Sequence, residues 1–515
     1  MQSLADLVAQ GKPAHKNETH GGHIPGSDPA IWPRVVVQPG IWSAIAAHLA
    51  QDRFTLVSLW GDDGAVHLAL YDEEAQAAGI FTCLCPEGHF PSVGQVHAPA
   101  IRLERTVRDL FGLIPQNAPD TRHWLDHGRW GVRAPMGAAE PGTEGGEPYD
   151  FLTAEGAHLH QIPVGPVHAG IIEPGHFRFH AHGETVVRLE ERLGYVHKGL
   201  EASMQGCLPK KAAHLAGRLS GDSTVAASLA FCRAVETACA AEVPERAAWL
   251  RALMAEMERL AHHIGDVGAI CNDAAFALML AHCGALRERV LRAAAQAFDH
   301  RLMMDCIVPG GVRADLSPEG IQALRHLVQD VRDTFPALVT LYESTTTLQD
   351  RTVTTGRLSP VLARTFGAGG YVGRASGRAF DARRALPYPP YDQLPFDVPV
   401  LDAGDVDARI RIRIAEVDES LALITRLLDL LPQGPVAADL PEIADVEGAA
   451  LVEGFRGDIF CHVRLDGEGR MARVHLRDPS WFQWPLLEAA IEGNIVADFP
   501  LCNKSFNCSY SGVDL

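Results

Sequence analysis

The sequence predicts an α+β protein: a small α/β domain at the N-terminus followed by a large helical-bundle domain with peripheral β-hairpins. Three observations lead to this prediction. Alternating apolar residues before residue 72 are typical of strands, and long three-to-four apolar spacing after residue 224 is typical of helices. A stretch rich in Gly and Pro separates the two patterns. With 515 residues, 47% of them hydrophobic, the chain can bury a large core.

The front part of the chain has four predicted regions. Residues 1–33 are polar and rich in His, Gly and Pro, and predict a flexible N-terminal arm. In the small domain, 34–133, residues 54–60 and 65–71 form a predicted hairpin, and 102–112 a short amphipathic helix ended by glycine. Residues 134–150 have no periodicity and many Gly and Pro residues, so they predict a linker.

The large domain, 151–515, is predicted to be mainly helical. Apolar stripes predict helices over 224–240 and 245–267, and further helices fit 275–300, 318–345 and 406–431. A second hairpin is predicted between 458–465 and 470–476. On the 245–267 helix, charged and His residues cluster and predict a buried polar network rather than a metal site.

Composition narrows the possible partners. A formal net charge of -19 argues against direct binding to nucleic acid or to an anionic membrane surface. No run approaches the roughly 20 apolar residues that cross a bilayer, and no signal peptide is visible, which predicts a cytosolic protein that can dock on a membrane complex. The 11 cysteines include no Cys-x-x-Cys pair and are expected to be reduced thiols.

Two segments carry candidate chemistry. Gly165–Arg178 holds Glu173 and His176 in a Gly- and Pro-rich hairpin, where they could relay protons or simply cap a turn. Arg218–Ser223 precedes a predicted helix, whose free backbone N–H groups and positive dipole end would face a cleft. Ser220 and Ser223 could equally be only helix caps.

Several short motifs are spread over nearly the whole chain from about residue 35, in the same order as in one known protein family. They are Glu104-Arg105…Asp109-Leu-Phe-Gly112, Pro119-Asp-Thr-Arg122, Gly165-Pro-Val-His168, Val196-His-Lys-Gly199, Phe231-Cys-Arg-Ala-Val-Glu236, Pro309-Gly-Gly-Val312, Gly373-Arg-Ala-Ser-Gly377…Asp381, Tyr388-Pro-Pro-Tyr-Asp392, Phe396-Asp-Val-Pro399 and Arg477-Asp-Pro-Ser480. Together they resemble the large subunit shared by energy-converting nickel–iron hydrogenases and respiratory complex I. The first two resemble the small 30 kDa-type accessory subunit of complex I, fused in front.

The resemblance implies cofactors on other subunits. It implies a small subunit with an iron–sulfur cluster at the cleft, a ferredoxin-like subunit, and a membrane arm of antiporter-like subunits. The hydrogenase branch binds nickel and iron through four cysteines, and the complex I branch holds a quinone through a histidine and a tyrosine. The four cysteine positions are Ser220, Ser223, Ser509 and Gly512 here, and the two quinone-donor positions are Ile172 and Gly221.

Hydroxyl groups and glycine are poor ligands for a soft metal, so the sequence predicts no metal bound by this chain. Other residues keep the types that the resemblance implies for the hydrogenase branch. They are Glu173, which matches the proton-gate position of that branch, His176 and Arg218. We therefore expect catalytic roles for Glu173, His176, Arg218 and Asp222. The cavity is expected to include Ser220, Gly221, Ser223, Ile172, Ser509 and Gly512.

Three functions remain open at this point. The first is a redox-coupled core subunit of a membrane-bound, ion-translocating oxidoreductase that passes electrons from a partner's iron–sulfur cluster to a quinone or another small acceptor. The second is a non-catalytic assembly and coupling subunit of such a complex. The third, disfavoured by ligand chemistry, is a hydrogenase with unusual ligands. In the first two cases the chain would sit on the cytoplasmic face of the inner membrane.

Overall fold

A computed structural model of the protein describes residues 3–13, 32–142, 148–156, 158–168 and 172–515. The predicted α+β class is confirmed, because helices and several small sheets occur in both halves of the chain. Within the described ranges, no helix combines the length and the apolar character needed to cross a membrane.

The front domain is built on a five-stranded sheet. The described helices and strands up to residue 141 are α1 (Leu4–Gln10), β1 (Lys12–Pro13), β2 (Arg34–Val37), α2 (Pro39–Leu49), β3 (Thr55–Asp62), β4 (Ala65–Asp72), β5 (Ala77–Leu84), β6 (His89–Pro91), α3 (Ile101–Phe111), β7 (Ile114–Gln116), β8 (Val132–Arg133) and β9 (Glu140–Pro141). The strand order is β1-β2-β5-β4-β3, with β2 and β5 parallel and the other neighbours antiparallel. The predicted hairpin is β3–β4, and the predicted helix is α3, which ends at Gly112 with φ 70°.

Part of the predicted N-terminal arm is ordered. Ser3 and Asp6 form a capping box that starts α1, and Leu4 and Leu7 lie on one side of this helix and are buried in the core. This differs from the expectation of a flexible arm, because a short helix with two leucines suffices to pack against the sheet. The remainder of the predicted arm, 14–31, and positions 143–147 of the predicted linker lie outside the described residues.

The large domain surrounds a helical core. Its described helices and strands are β10 (Leu159–Val164), β11 (His176–His182), β12 (Thr185–Arg192), α4 (Leu200–Met204), α5 (Pro209–Ala216), α6 (Thr224–Ala238), α7 (Glu245–Asp273), α8 (Ala277–Phe298), β13 (Ile307–Val308), β14 (Gly311–Val312), α9 (Pro318–Ser344), α10 (Thr346–Thr352), α11 (Pro360–Thr365), α12 (Gly370–Arg374), α13 (Ala382–Ala385), α14 (Val406–Leu430), β15 (Glu447–Glu453), β16 (Asp458–Leu465), β17 (Met471–Arg477), α15 (Ser480–Ile491) and α16 (Phe499–Phe506). Helix α7 packs against α8 and α14, while α6 packs against β15 and β16. The predicted second hairpin is β16–β17, to which β15 adds a third antiparallel strand.

The centre of the large domain contains charged side chains that neutralise one another. On α7, His263 Nε2 lies 2.6 Å from Glu416 Oε2, and Glu416 Oε1 accepts a hydrogen bond of 2.8 Å from Arg374 Nε. Arg374 also donates to Glu453 at 2.9 Å. Removing one member would leave an uncompensated buried charge, so these groups depend on one another.

The front sheet packs directly on the last sheet of the large domain. Arg477 Nε donates to the carbonyl of Val57 at 2.8 Å, and Ser58 Oγ lies 2.8 Å from His475 Nε2. The rings of Trp60 and His475 are stacked with centroids 4.9 Å apart. The two sheets therefore share one interface that combines hydrogen bonds with aromatic stacking.

Candidate functional site

Two distant segments meet at one place on the large domain. Ser220 and Ser223 lie in the turn between α5 and α6, while Ser509 and Gly512 follow α16. Ser509 Oγ donates to Ser220 Oγ at 3.1 Å and accepts the N–H of Gly512 at 2.9 Å. The structure thus brings Ser220, Ser509 and Gly512 into one hydrogen-bonded cluster, which we call the serine cluster.

Beside the serine cluster, Arg456 contacts both Ser223 and Asp222. Its guanidinium contacts both carboxylate oxygens of Asp222, with Nη1 2.9 Å from Oδ1, and Nη1 also donates to Ser223 Oγ at 3.0 Å. Ser220 Oγ donates to Asp222 Oδ1 at 2.5 Å. Burial opposes ionisation of Asp222, but the charge and hydrogen bonds of Arg456 outweigh it and hold the pKa of this carboxyl well below its usual range. The result is a charged pair adjoining the serine cluster.

Sequence reasoning missed Arg456 and proposed Arg218 instead. The Arg218 side chain is 41% exposed and forms a two-pronged ion pair with Asp305, with Nη2 2.8 Å from Oδ2. It follows the end of α5, and Nη1 donates to the carbonyl of His214 at 3.0 Å, so it runs back along this helix instead of toward Asp222. The local signal for Arg456 is only an arginine between Gly454 and Gly457 in the turn after β15.

A second group of residues, on the side of Arg456 away from Asp222, fixes the position of its guanidinium. Arg456 Nε donates to the carbonyl of Asn507 at 2.5 Å, and the Asn507 amide donates to both carboxylate oxygens of Asp266 at 3.0 and 3.1 Å. Arg413 Nε donates to Asp266 at 3.1 Å. A continuous chain of polar contacts therefore links Asp222 to the interior of the helical core.

Glu173 lies at the exposed edge of the serine cluster, whereas His176 lies apart from this cluster. Glu173 is exposed, and its Oε2 accepts the N–H of Ser511 at 3.2 Å, which connects the β10–β11 hairpin to the C-terminal segment. Ile172 is partly buried against the core. His176 is buried with Nδ1 3.2 Å from the carbonyl of Gly165, and burial lowers its pKa.

His176 lines a separate cleft of about 1640 Å³ between the two domains. This cleft also includes Tyr149, Phe151, Arg192 and Tyr195. The structure therefore does not place His176 with Asp222 and the serine cluster. The difference arises because His176 begins β11, whose pairing with β10 and β12 fixes its position.

The two glycines of the predicted cavity have opposite surroundings. A Cβ built on Gly221 would meet no atom within 4 Å, and this residue is exposed, so the turn opens outward there. A Cβ on Gly512 would lie 2.7 Å from Cγ of Asp478. Asp478 is fully buried, and burial raises its pKa. Glycine is therefore the residue type that fits at position 512 above Asp478 without movement of the chain.

The donor atoms present do not fit a nickel–iron centre. Serine hydroxyls bind soft metals poorly, and those of Ser220 and Ser509 are hydrogen-bonded to each other. The nearby thiols of Cys502 and Cys508 are buried; burial raises the pKa of Cys502 to about 11 and that of Cys508 well above its usual value, so neither is a thiolate at neutral pH. Among the described residues, no group of three or more His, Cys, Asp or Glu side chains is arranged to share a metal ion.

Comparison with known proteins agrees with this architecture. The family model of the respiratory-chain NADH dehydrogenase 30 kDa subunit matches residues 35–144, and that of the 49 kDa subunit matches 266–450 and 441–515. Formate hydrogenlyase subunit 5 of Escherichia coli (strain K12) is 33% identical over 82% of this chain and 77% of its own length. An NADH-quinone oxidoreductase subunit of the C/D type from Bacteroides fragilis (strain YCH46) is 28% identical over 79% of this chain and 82% of its own length.

A solved structure extends the comparison to a third kind of complex. A chain of the membrane-bound sulfane sulfur reductase, an archaeal respiratory membrane complex, matches with a TM-score of 0.66 and 27% identity, over 70% of this chain and 99% of that one. Fold and fused front domain thus define a large subunit of the hydrogenase and complex I type. The chain belongs to the family of the respiratory-chain NADH dehydrogenase 49 kDa subunit and its hydrogenase relatives, with a 30 kDa subunit domain in front. The resemblance read from the sequence is confirmed.

Proposed function

We propose that this chain is the core large subunit of a membrane-associated, ion-translocating oxidoreductase. It passes electrons from an iron–sulfur cluster on a partner subunit to a quinone or another small acceptor, without a nickel–iron centre. The observation that carries this proposal is the pair of Asp222 and Arg456. Arg456 is 4% exposed, whereas one third of the Asp222 side chain reaches the surface beside the open turn at Gly221.

The pair suits an acceptor whose charge changes on reduction. A reduced acceptor oxygen becomes more negative, and a buried arginine stabilises that charge more strongly than an exposed one. Asp222 then supplies a carboxylate within the same hydrogen-bonded group, and Glu173 at the rim can exchange protons with solvent. The side chains gathered here are carboxylate, guanidinium and hydroxyl groups, so the proposal places the redox cofactor on a partner subunit.

The proposal includes partners and a location. We expect a small iron–sulfur subunit at the site, a ferredoxin-like subunit that delivers electrons, and antiporter-like membrane subunits, with this chain on the cytoplasmic face of the inner membrane. The names of the relatives support such an assembly, since they include NADH-quinone oxidoreductase subunits and a respiratory membrane complex.

A second function is favoured by the serine cluster. Ser509 is hydrogen-bonded to both Ser220 and Gly512, which closes the positions that the resemblance aligns with metal ligands. A subunit that only assembles the complex and transmits conformational change would need such a closed, rigid contact and no acceptor. In this case the pair of Asp222 and Arg456 serves only to join the start of α6 to the turn between β15 and β16.

Substitution in the purified whole complex separates the two functions. Arg456→Lys and Asp222→Asn should each lower quinone-dependent oxidation of a reduced donor by about a hundredfold while the complex stays assembled. Arg218→Gln is the matched control, because it removes an arginine–carboxylate pair at the surface and should leave the rate near that of the wild type. Unchanged rates in both site variants would support the assembly function, and stoichiometric nickel in the complex would overturn both.

A further inference from the structure

The cleft between the two domains carries an excess of positive charge. The described residues that line this space of about 1640 Å³ include five arginines and two aspartates. They are Arg108, Arg122, Arg129, Arg133, Arg192, Asp126 and Asp150. The whole chain has a net charge of -19, so the cleft is opposite in sign to the molecule that contains it. An anionic partner is therefore attracted to this cleft and repelled by the rest of the surface.

Arg192 is a buried cation of this cleft without a carboxylate beside it. It is 3% exposed, and its guanidinium donates hydrogen bonds to the main-chain carbonyls of His123, Trp124 and Asp126. In the described part of the chain, no carboxylate lies within ion-pair distance of Arg192, and its Nε has no hydrogen-bond partner. Burial lowers the pKa of this guanidinium group. A buried charge is costly without an opposite charge nearby, so an anion in the cleft would stabilise Arg192.

The other arginines differ in how far they are neutralised. Arg122 pairs with Asp120 and with Glu190, at N–O distances of 2.6 Å in both cases. Arg108 and Arg129 form no ion pair with a described carboxylate, and Arg129 is exposed. Two further guanidinium groups at the cleft therefore lack an acidic counter-ion.

The wall that carries these arginines is held in place by two buried residues of α3. Asp109 is 5% exposed and accepts the N–H of Trp124 at 2.7 Å. Arg105 is 3% exposed and donates to the carbonyls of Arg122 at 2.7 Å and His123 at 3.0 Å. A surface that is fixed before binding loses little conformational entropy when a ligand arrives.

The size of the cleft and its aromatic side chains indicate which kind of anion fits. Small-molecule pockets have volumes of about 300–1,000 Å³, and this cleft is larger. Its lining also includes Trp130, Tyr149, Phe151 and Tyr195, and Tyr195 is 38% exposed. The Arg192 guanidinium lies 4.4 Å from the centre of the Tyr149 ring. A free phosphate would use only the charges, whereas a polypeptide segment with acidic and apolar side chains would use both and fill the space.

We propose that this cleft binds an acidic polypeptide segment of a partner subunit. Carboxylates of the segment pair with Arg129 and Arg192, and an apolar side chain of the segment packs on the exposed face of Tyr195. The identity of the partner as a subunit of the oxidoreductase rests on the proposed function. The affinity of the cleft for an acidic segment does not.

Fluorescence anisotropy with the full chain tests the cleft directly. The probe is a short dye-labelled peptide rich in Asp and Glu that carries one Phe. It should bind at low ionic strength and more weakly as salt is added, because salt screens the attraction. Arg129→Glu should weaken binding about tenfold. Arg357→Glu is the matched control, because Arg357 is also exposed and without a described ion pair but does not line the cleft; it should bind like the wild type.

Two further measurements keep the proposal open to refutation. Arg192→Gln, with folding checked by circular dichroism, should also weaken binding of the peptide. ATP and inorganic phosphate test the cleft as a site for small anions. The proposal is wrong if the peptide does not bind, if Arg129→Glu and Arg357→Glu weaken binding equally, or if only the small anions bind in a manner that depends on Arg129. A chain that binds the peptide within a complex that reduces no acceptor would contradict the proposed function alone.

Discussion

At the scale of single residues, the positions that the family resemblance aligns with metal ligands make structural contacts. Ser509 uses its hydroxyl as both donor and acceptor, bonding Ser220 and the N–H of Gly512. Its own N–H donates to Ser480 Oγ at 2.8 Å. Gly512 lies against the buried carboxyl of Asp478, so a side chain at this position has no room. The serine cluster is thus a packed contact whose parts require one another.

Gly512→Ala is therefore expected to destabilise the protein. The added Cβ would lie 2.7 Å from Cγ of Asp478, and overpacking of this kind costs about 1–3 kcal/mol in the free energy of unfolding. Gly221→Ala is the control, because its Cβ would meet no atom within 4 Å. Chemical denaturation of both variants measures the difference, and equal stability would show that Asp478 can move aside.

At the scale of helices and strands, local patterns in the sequence were informative. The apolar stripes that predict helices correspond to α6, α7, α8, α9 and α14, and the alternating segments to β3–β4 and β16–β17. Periodicity reports which face of an element is buried, which explains this agreement. It carries no information about which elements meet.

The contacts at the candidate site could not be predicted from periodicity, because they join residues far apart in the sequence. Arg456 and Asp222 are 234 residues apart, and their contact depends on how β15 packs against α6. Arg218 is next to the helix start in sequence, yet its side chain turns to Asp305. The positions of Ser220, Ser223, Ser509 and Gly512 could be named only through the family resemblance. Proximity in the sequence points to Arg218, whereas the arginine that contacts Asp222 is Arg456.

The end of α16 offers a test at this scale. Asn507 terminates the helix with φ 48°, a left-handed conformation that asparagine and glycine tolerate better than alanine. Asn507→Gly should lose only the hydrogen bonds to Asp266, whereas Asn507→Ala should lose these bonds and gain about 1 kcal/mol of backbone strain. Thermal unfolding of the two variants measures the difference. If the alanine variant is as stable as the glycine variant, strain at this cap is negligible.

At the scale of the whole molecule, the contact between the two sheets contains buried histidines. His67 on β4 lies near Asp62, while His462 and His475 on the last sheet lie near Glu447 and Glu201. Trp60 contacts all three imidazole rings. Burial lowers the pKa of each histidine, that of His67 to about 4, so the interface is built from neutral rings at neutral pH.

Acid should therefore weaken the contact between the front domain and the large domain. Because the folded-state pKa of His67 is below the unfolded value of about 6.5, folding favours the neutral ring. Its contribution is complete above about pH 6.5 and is lost as pH falls toward about 4. Hydrogen exchange of β3 and β17 at several pH values should show faster opening in acid. His67→Gln should reduce this pH dependence. His89→Gln is the control, because it changes a histidine on the partly exposed strand β6, and it should leave the pH dependence as it is. An identical pH dependence in the wild type and both variants would contradict the role of His67.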